Sequence, residues 1–343
     1  MNEFFKQVLT AGHTHQAGSA RIAAEFRQLR SQGRASQVVS IINQMAQLAA
    51  KVGVPIPTVI LFESILARCD MGHFDECRDD LLDRCLADRS QLDLAAILIW
   101  LARLKPSLFE QDFDQACVSE ARRRLAAACE AFDPYTTLSE GPVVIAEKVS
   151  RYGCSVIRDA ISTEELWGVE TAFRLEDDWW RFLEKTEGET FADLIRDDGL
   201  GSLIDVLLGK DWIVRPDQCV LRKVGAKEDT FLEYHQDAAI LPSPTDFLTC
   251  WTCKETTCLE TPQLDVVPFP FSSYLPFVTR SRGNTEGYFS RDDVVGDDLF
   301  KPMTMKPGDV VVMRNKVVHR THPLPVLSDY RRTSVDFRVY AAA

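Results

Sequence analysis

Apolar residues recur at three- and four-residue spacing through the first third of the chain. The windows 21–30, 38–50 and 58–69 carry this period, and each predicts an amphipathic helix. Pro55 and Pro57 separate the last two. Gly72-His73-Phe74-Asp75-Glu76-Cys77 predicts a turn that opens another helix through Leu86. Leu92 to Leu104 is nearly all apolar and ends at Lys105-Pro106, as a buried helix would. Phe113 to Phe132 predicts a last amphipathic helix.

Asp133-Pro134-Tyr135 through Gly141-Pro142 reads as a linker. Val143 to Ser150 then predicts a helix leading into a strand at Cys154 to Arg158. Ser162 with Glu165 three residues on forms a capping box, so a helix is expected to about Phe173. Trp179 to Phe182 and Phe191 to Leu208 read as further helical pieces. After Asp211 the period shortens, and Trp212 to Arg215 and Gln218 to Val224 read as strands. Short strands broken by Pro and Gly continue to the end. The expected architecture is α+β: a double-stranded β-helix, or jelly roll, with helices packed on one sheet, over residues 143–343. An all-α domain precedes it at 1–132, with the linker at 133–142.

Charge and composition exclude some partners. The chain has 343 residues and a net charge of −12, which argues against a nucleic-acid or anionic-membrane surface. No run of eighteen apolar residues is present, so no membrane span is expected. Met1 to Lys6 lacks the layout of a signal peptide. Ten cysteines without a secretory signal read as reduced thiols in a cytoplasmic protein.

Candidate chemistry centres on Tyr234-His235-Gln236-Asp237. On a strand, His235 and Asp237 would share one face. A histidine beside a carboxylate supplies two ligands of the facial triad that holds non-haem Fe(II). The third should be a distant histidine, and His319 and His322 both follow the strand that starts at Pro307-Gly308-Asp309. Arg332 and Ser334 then share one face of an apparent strand, and Arg338 continues it. The bland alternatives are a surface pair at 235–237 and a solvated charge ladder at 332–338. Cys250, Cys253 and Cys258 suggest zinc, but no second Cys pair or His pair accompanies them. His13 and His15 read as surface histidines in a polar stretch.

These motifs, in this order, resemble the Fe(II)/2-oxoglutarate-dependent oxygenases, and in particular the phytanoyl-CoA dioxygenase-like family. His235-Gln236-Asp237-Ala238-Ala239 is similar to its metal loop, and Leu264-Asp265-Val266-Val267-Pro268 to its "Leu-Glu-Val-Val-Pro" strand. Arg151 to Ile157 followed by Ile161 to Leu166 resembles its opening. The resemblance covers roughly 143 to 340 and implies a cupin-like jelly roll. It implies a metal centre of His235, Asp237 and His319, with the last favoured because it lies ten residues after Asp309, as in the family. His322 then reads as a pocket wall. It implies 2-oxoglutarate held by Arg332 and Ser334, O2 as oxidant, and oxidation of a small metabolite or natural-product intermediate with release of succinate and CO2. Halogenating relatives lack the carboxylate, so Asp237 favours hydroxylation. A peptide or carrier-bound substrate held by the helical domain is the second reading. The rival from another class is a helical interaction protein with an inactive oxygenase domain.

The N-terminal alternation resembles tetratricopeptide-type helical hairpins. Its glycine turns are 72 − 33 = 39 residues apart, against about 34 in that repeat. The diagnostic Trp and Tyr are also missing. Such a domain would present a groove to a peptide, or wrap or pair the protein.

Overall fold

The computed structural model describes residues 22–23, 25–30, 32–53, 56, 58–88, 92–167, 180–197, 199–225, 235–241, 247–271, 277–282, 285–290, 296–322 and 331–342. His13, His15, Tyr234 and the helix end expected near Phe173 lie outside these residues. The chain divides into two compact units. One comprises 1–125, 272–276 and 293–295, and the other 126–271, 277–292 and 296–343.

The first unit is helical where described. Helix α1 spans Ala35–Val52, α2 Thr58–Asp70, α3 Phe74–Ala87 and α4 Leu92–Leu104, and α5, Asp112–Glu130, begins in this unit. Val38, Ile42 and Met45 of α1 bury one face against Ile60 and Ala67 of α2 and against Ile22 and Phe26. Every residue from Leu94 to Leu101 is buried, which is why α4 shows no polar stripe. Gly33 and Gly72 take φ of 73° and 84°, a region open to glycine at little cost. At both, the next residue's N–H reaches back five residues: Arg34 to the Leu29 carbonyl at 3.0 Å and His73 to that of Arg68 at 2.9 Å. The two turns are thus the same helix cap.

The second unit is a mixed α/β structure with a large sheet. Its strands are β1 Tyr135–Thr137, β2 Cys154–Arg158, β3 Trp180–Phe182, β4 Trp212–Val214, β5 Val220–Gly225, β6 His235–Gln236, β7 Phe247–Cys253 and β8 Leu264–Val266. They continue with β9 Phe277–Arg282, β10 Thr285–Ser290, β11 Lys301–Met303, β12 Val310–Arg314, β13 Val318–Thr321 and β14 Arg331–Ala341. The larger sheet runs β1-β2-β12-β7-β14-β5-β3, with β4 also pairing β14. The smaller runs β11-β8-β13-β6, and β9 and β10 form a hairpin. From β5 to β8 the chain alternates between the two sheets, and it does so again from β11 to β14.

Both faces of the large sheet are covered. Helices α6 (Pro142–Tyr152), α8 (Lys185–Asp197) and α9 (Leu200–Leu208) lie on one face, and the short α7 (Thr163–Trp167) falls between α6 and α8 in the chain. There Ile145, Phe191, Ile195 and Leu203 meet Leu248, Cys250, Val312, Val335, Phe337 and Val339. On the other face Trp251, Cys253, Val311 and Met313 pack against Leu264, Val266, Met303 and Val317 of the small sheet. Cys250 and Cys253 thus belong to opposite cores.

Several local expectations change. Residues 135–137, read as linker, pair in parallel with β2. Trp180–Phe182, read as helical, is an edge strand paired with β5. Three residues hold too little period to tell helix from strand, and pairing decides. The helix expected over 191–208 is two helices, because Gly199 takes φ 86° between them. Asp237 does not continue a strand. It opens the one-turn helix α10 (Asp237–Ile240), and the Ala238 N–H donates to the Asn315 carbonyl at 2.8 Å.

Candidate metal and cosubstrate site

The small sheet positions both histidines. β6 and β13 are antiparallel, with His235 directly opposite His319. The ring centroids are 4.3 Å apart. Asp237 lies past the end of β6, where the turn into α10 swings its carboxylate back toward the rings. Its Oδ1 is 3.7 Å from Nε2 of each histidine. One ligand atom from each of the three lies within 4.8 Å of the others. All are buried, at 3 %, 2 % and 6 % exposure for His235, Asp237 and His319.

The protonation states suit ligation. His319 Nδ1 lies 3.0 Å from the Val317 carbonyl, so as donor it leaves the Nε2 lone pair facing the cluster. Burial, then the neighbouring His235, push the His319 imidazole down to about 4, so it is neutral at pH 7. Burial alone would raise the Asp237 carboxyl. The Arg338 guanidinium and the two imidazoles outweigh it and hold Asp237 well below the carboxylate range. Of these, the arginine is charged at every relevant pH.

Both Asp237 oxygens are held from the large sheet. Arg338 Nη2 donates to Oδ1 at 2.9 Å, and the Thr249 hydroxyl donates to Oδ2. Arg338 Nη1 donates to the Asp336 carbonyl at 3.1 Å. Thr249 sits opposite Arg338 in the β7–β14 register, so the two donors are neighbours. On β5, Arg222 Nε lies 3.1 Å from Asp336 Oδ2.

Arg332 and Ser334 are placed differently. Arg332 is 3 % exposed and shares a cavity with His235, His319, Arg338 and Trp251. Its Nη1 donates to the Pro262 carbonyl, and its guanidinium carbon lies 5.0 Å from the centre of the Trp251 ring. Nε has no hydrogen-bond partner, and no carboxylate among the described residues pairs with this arginine. Burial pushes its guanidinium down to about 10. Ser334 is fully buried, and its hydroxyl also has no partner. His322 points elsewhere: Nδ1 lies 2.9 Å from the Asp265 carboxylate, which Arg320 Nε also approaches at 3.3 Å.

The structure therefore brings His235, Asp237 and His319 together, keeps Arg332 in the same cavity, and turns His322 away. Four residues of the site were not singled out as such from sequence: Thr249, Arg222, Asp336 and Thr321, which lines the cavity two residues after His319. Their signal was polar residues at inward positions of otherwise apolar strands, as in Val220-Leu221-Arg222 and Phe247-Leu248-Thr249.

The donor set fits a divalent metal of the Fe(II) type, with two imidazoles and a carboxylate on one side. The orphaned guanidinium and hydroxyl fit a carboxylate ligand. No family model matches the chain, and no curated protein matches it. Among solved structures the chain is similar to EvdO2 from Micromonospora carbonacea var. aurantiaca, at 15 % identity and TM-score 0.47, over 58 % of this chain and 90 % of that one. It is similar to the epimerase SnoN in complex with Fe3+, alpha ketoglutarate and nogalamycin RO, at 14 % identity and TM-score 0.40, over 60 % and 85 %. It is also similar to HygX from Streptomyces hygroscopicus with nickel and 2-oxoglutarate bound, at 15 % identity and TM-score 0.42, over 59 % and 86 %.

Proposed function

We propose that this chain is an Fe(II)- and 2-oxoglutarate-dependent oxygenase built on a double-stranded β-helix, of the phytanoyl-CoA dioxygenase-like type. One observation carries the reading. A buried His-Asp-His cluster shares a cavity with a buried arginine that has no carboxylate partner among the described residues. The alternation of β5 to β8 and β11 to β14 between two sheets supports the fold.

When bound, Fe(II) with 2-oxoglutarate and O2 supplies oxidation of a substrate C–H bond, with release of succinate and CO2. His235, Asp237 and His319 would hold the metal. Thr249 and Arg338 fix the Asp237 carboxylate, so its angle to the metal is set before binding. Arg332 takes the far carboxylate of 2-oxoglutarate through parallel donors, and Ser334 adds a hydroxyl. The apolar walls of Trp251, Met313 and Leu264 exclude water. Asp237 supplies the carboxylate that halogenating relatives lack, so the product would carry oxygen or a desaturation. The substrate class is a small metabolite or natural-product intermediate. The N-terminal unit is a helical-hairpin domain that docks a partner or a second copy of the chain.

The test is anaerobic. Adding Fe(II) and 2-oxoglutarate should produce a metal-to-ligand charge-transfer absorption. Arg332→Ala should raise the 2-oxoglutarate requirement by about two orders of magnitude, because a buried carboxylate without its partner costs roughly 3–5 kcal/mol. Ser334→Ala should raise it about tenfold or less. Fe(II) affinity should barely change in either. No absorption in the wild type would sink the reading, and unchanged 2-oxoglutarate affinity in Arg332→Ala would move the cosubstrate site.

A further inference from the structure

Among the described residues the cavity holds more positive charge than the proposed reaction needs. Arg222 lies midway along β5, opposite Ser334 on β14, and lines the cavity. Its Nε is buried, makes no hydrogen bond, and among the described residues meets the carboxylate of Asp336, with Oδ2 at 3.1 Å. Arg338 Nη1 lies 3.5 Å from the same oxygen. Two guanidiniums therefore crowd one carboxylate.

The balance follows from the described side chains. Arg222, Arg332 and Arg338 stand against Asp237 and Asp336, while Arg320 is matched by Asp265. Three cations less two anions leave one positive charge. The inference rests on the oxygenase reading, which adds a divalent metal and a dianionic cosubstrate. These cancel, so the surplus survives in the loaded enzyme. A metal with Asp237, Arg332 and 2-oxoglutarate alone would close to zero. The excess comes from the added group of Arg222, Asp336 and Arg338. Buried charge without a counter-charge is unfavourable, and a guanidinium offers forked donors to an oxyanion. Arg338 is already bonded to Asp237, and Arg332 is assigned to the cosubstrate. Arg222 is the guanidinium whose donors remain.

We infer that the primary substrate carries an anionic group, a carboxylate or a phosphate or sulfate ester, and that Arg222 binds it. Arg222 is then a specificity residue, and neutral analogues of the substrate are excluded by the same group.

The probes are acetate and its neutral isostere acetamide. They are titrated into the full-length anaerobic Fe(II) enzyme with saturating 2-oxoglutarate, at constant ionic strength and without chloride. The readouts are the charge-transfer band and calorimetric binding. Acetate should bind at one site and perturb the band, and acetamide should not. Arg222→Gln should weaken acetate at least tenfold while its 2-oxoglutarate affinity stays within threefold. Acetate binding no better than acetamide in the wild type overturns the proposal, and this arm needs no substitution. Equal acetate binding in Arg222→Gln overturns it too. A tenfold loss of 2-oxoglutarate affinity in that variant would assign Arg222 to the cosubstrate instead. If the wild type forms no charge-transfer band, the oxygenase reading itself fails. A band indifferent to acetate sinks only the anionic substrate.

Discussion

His319 and His322 differ in what their Nδ1 atoms meet. That of His319 faces the carbonyl of Val317, the residue just before its strand, which turns Nε2 inward, whereas that of His322 faces the Asp265 carboxylate. His319→Ala should therefore lose Fe(II) binding, as should His235→Ala and Asp237→Ala. His322→Ala should keep it within about threefold. An anaerobic Fe(II) titration decides, and the opposite pattern for the two histidines would reassign the third ligand. The His319 imidazole also makes a pH prediction for the metal-free protein. Its ordinary value of 6.5 falls to about 4 on folding, so the unfolded chain binds the proton first. Stability contributed by the neutral ring is complete above 6.5 and is lost as pH falls toward 4, by at most about 3 kcal/mol. Urea melts across that window measure it, and His319→Asn should flatten the slope. The family resemblance favoured His319, because its ten-residue count from Asp309 matches the family's spacing and lies within one local stretch. The partner of Arg338 was not legible. Arg332 and Arg338 share one face of β14, and which meets Asp237 depends on the offset of β14 against β7. That offset is set by pairing between segments some 80 residues apart in the chain, and no local pattern encodes it.

Elements meet tightly where β2 and β13 begin. Gly153 takes φ 81° and passes close to β13: a Cβ there would stand 2.6 Å from Val317 Cγ2 and 3.2 Å from the Phe269 carbonyl oxygen. Val317 lies two residues before His319 and anchors its ring. Gly153→Ala should cost at least about 2 kcal/mol, from the left-handed backbone and the displaced valine together. It should also weaken Fe(II) binding, although no ligand is touched. An unchanged melting temperature would show that β13 can yield. The Gly308-Asp309 turn acts similarly at the other end. Its carboxylate accepts the Lys306 N–H at 2.8 Å and the Asp159 N–H at 3.0 Å and pairs with Arg158. It thereby ties the end of β2 to the start of β12. Helices of this chain were easy to place from sequence, because a dozen residues of 3.6 period leave little choice. The short pieces were not. Trp180–Phe182 owes its strand to β5, and Asp237 owes its helical start to the bond from Ala238 to Asn315.

At the scale of the molecule, every proposed site residue falls in the second unit. A chain lacking residues 1–125 should keep the Fe(II) and 2-oxoglutarate absorption within about threefold of the full chain. Loss of both would mean that the second unit does not fold alone. The two-sheet layout was foreseeable from short strands between Pro and Gly breaks. The grip on Asp237 has a further effect. Its carboxylate is held by Thr249 and Arg338 of the large sheet while it faces His235 and His319 of the small one. A metal seated there would fasten one sheet to the other. Whatever binds the folded chain and not the unfolded one lends it about 2.7 kcal/mol at a hundredfold excess over Kd. On the proposed reading, iron scarcity would then do more than stop turnover: it would shorten the time each molecule survives intact.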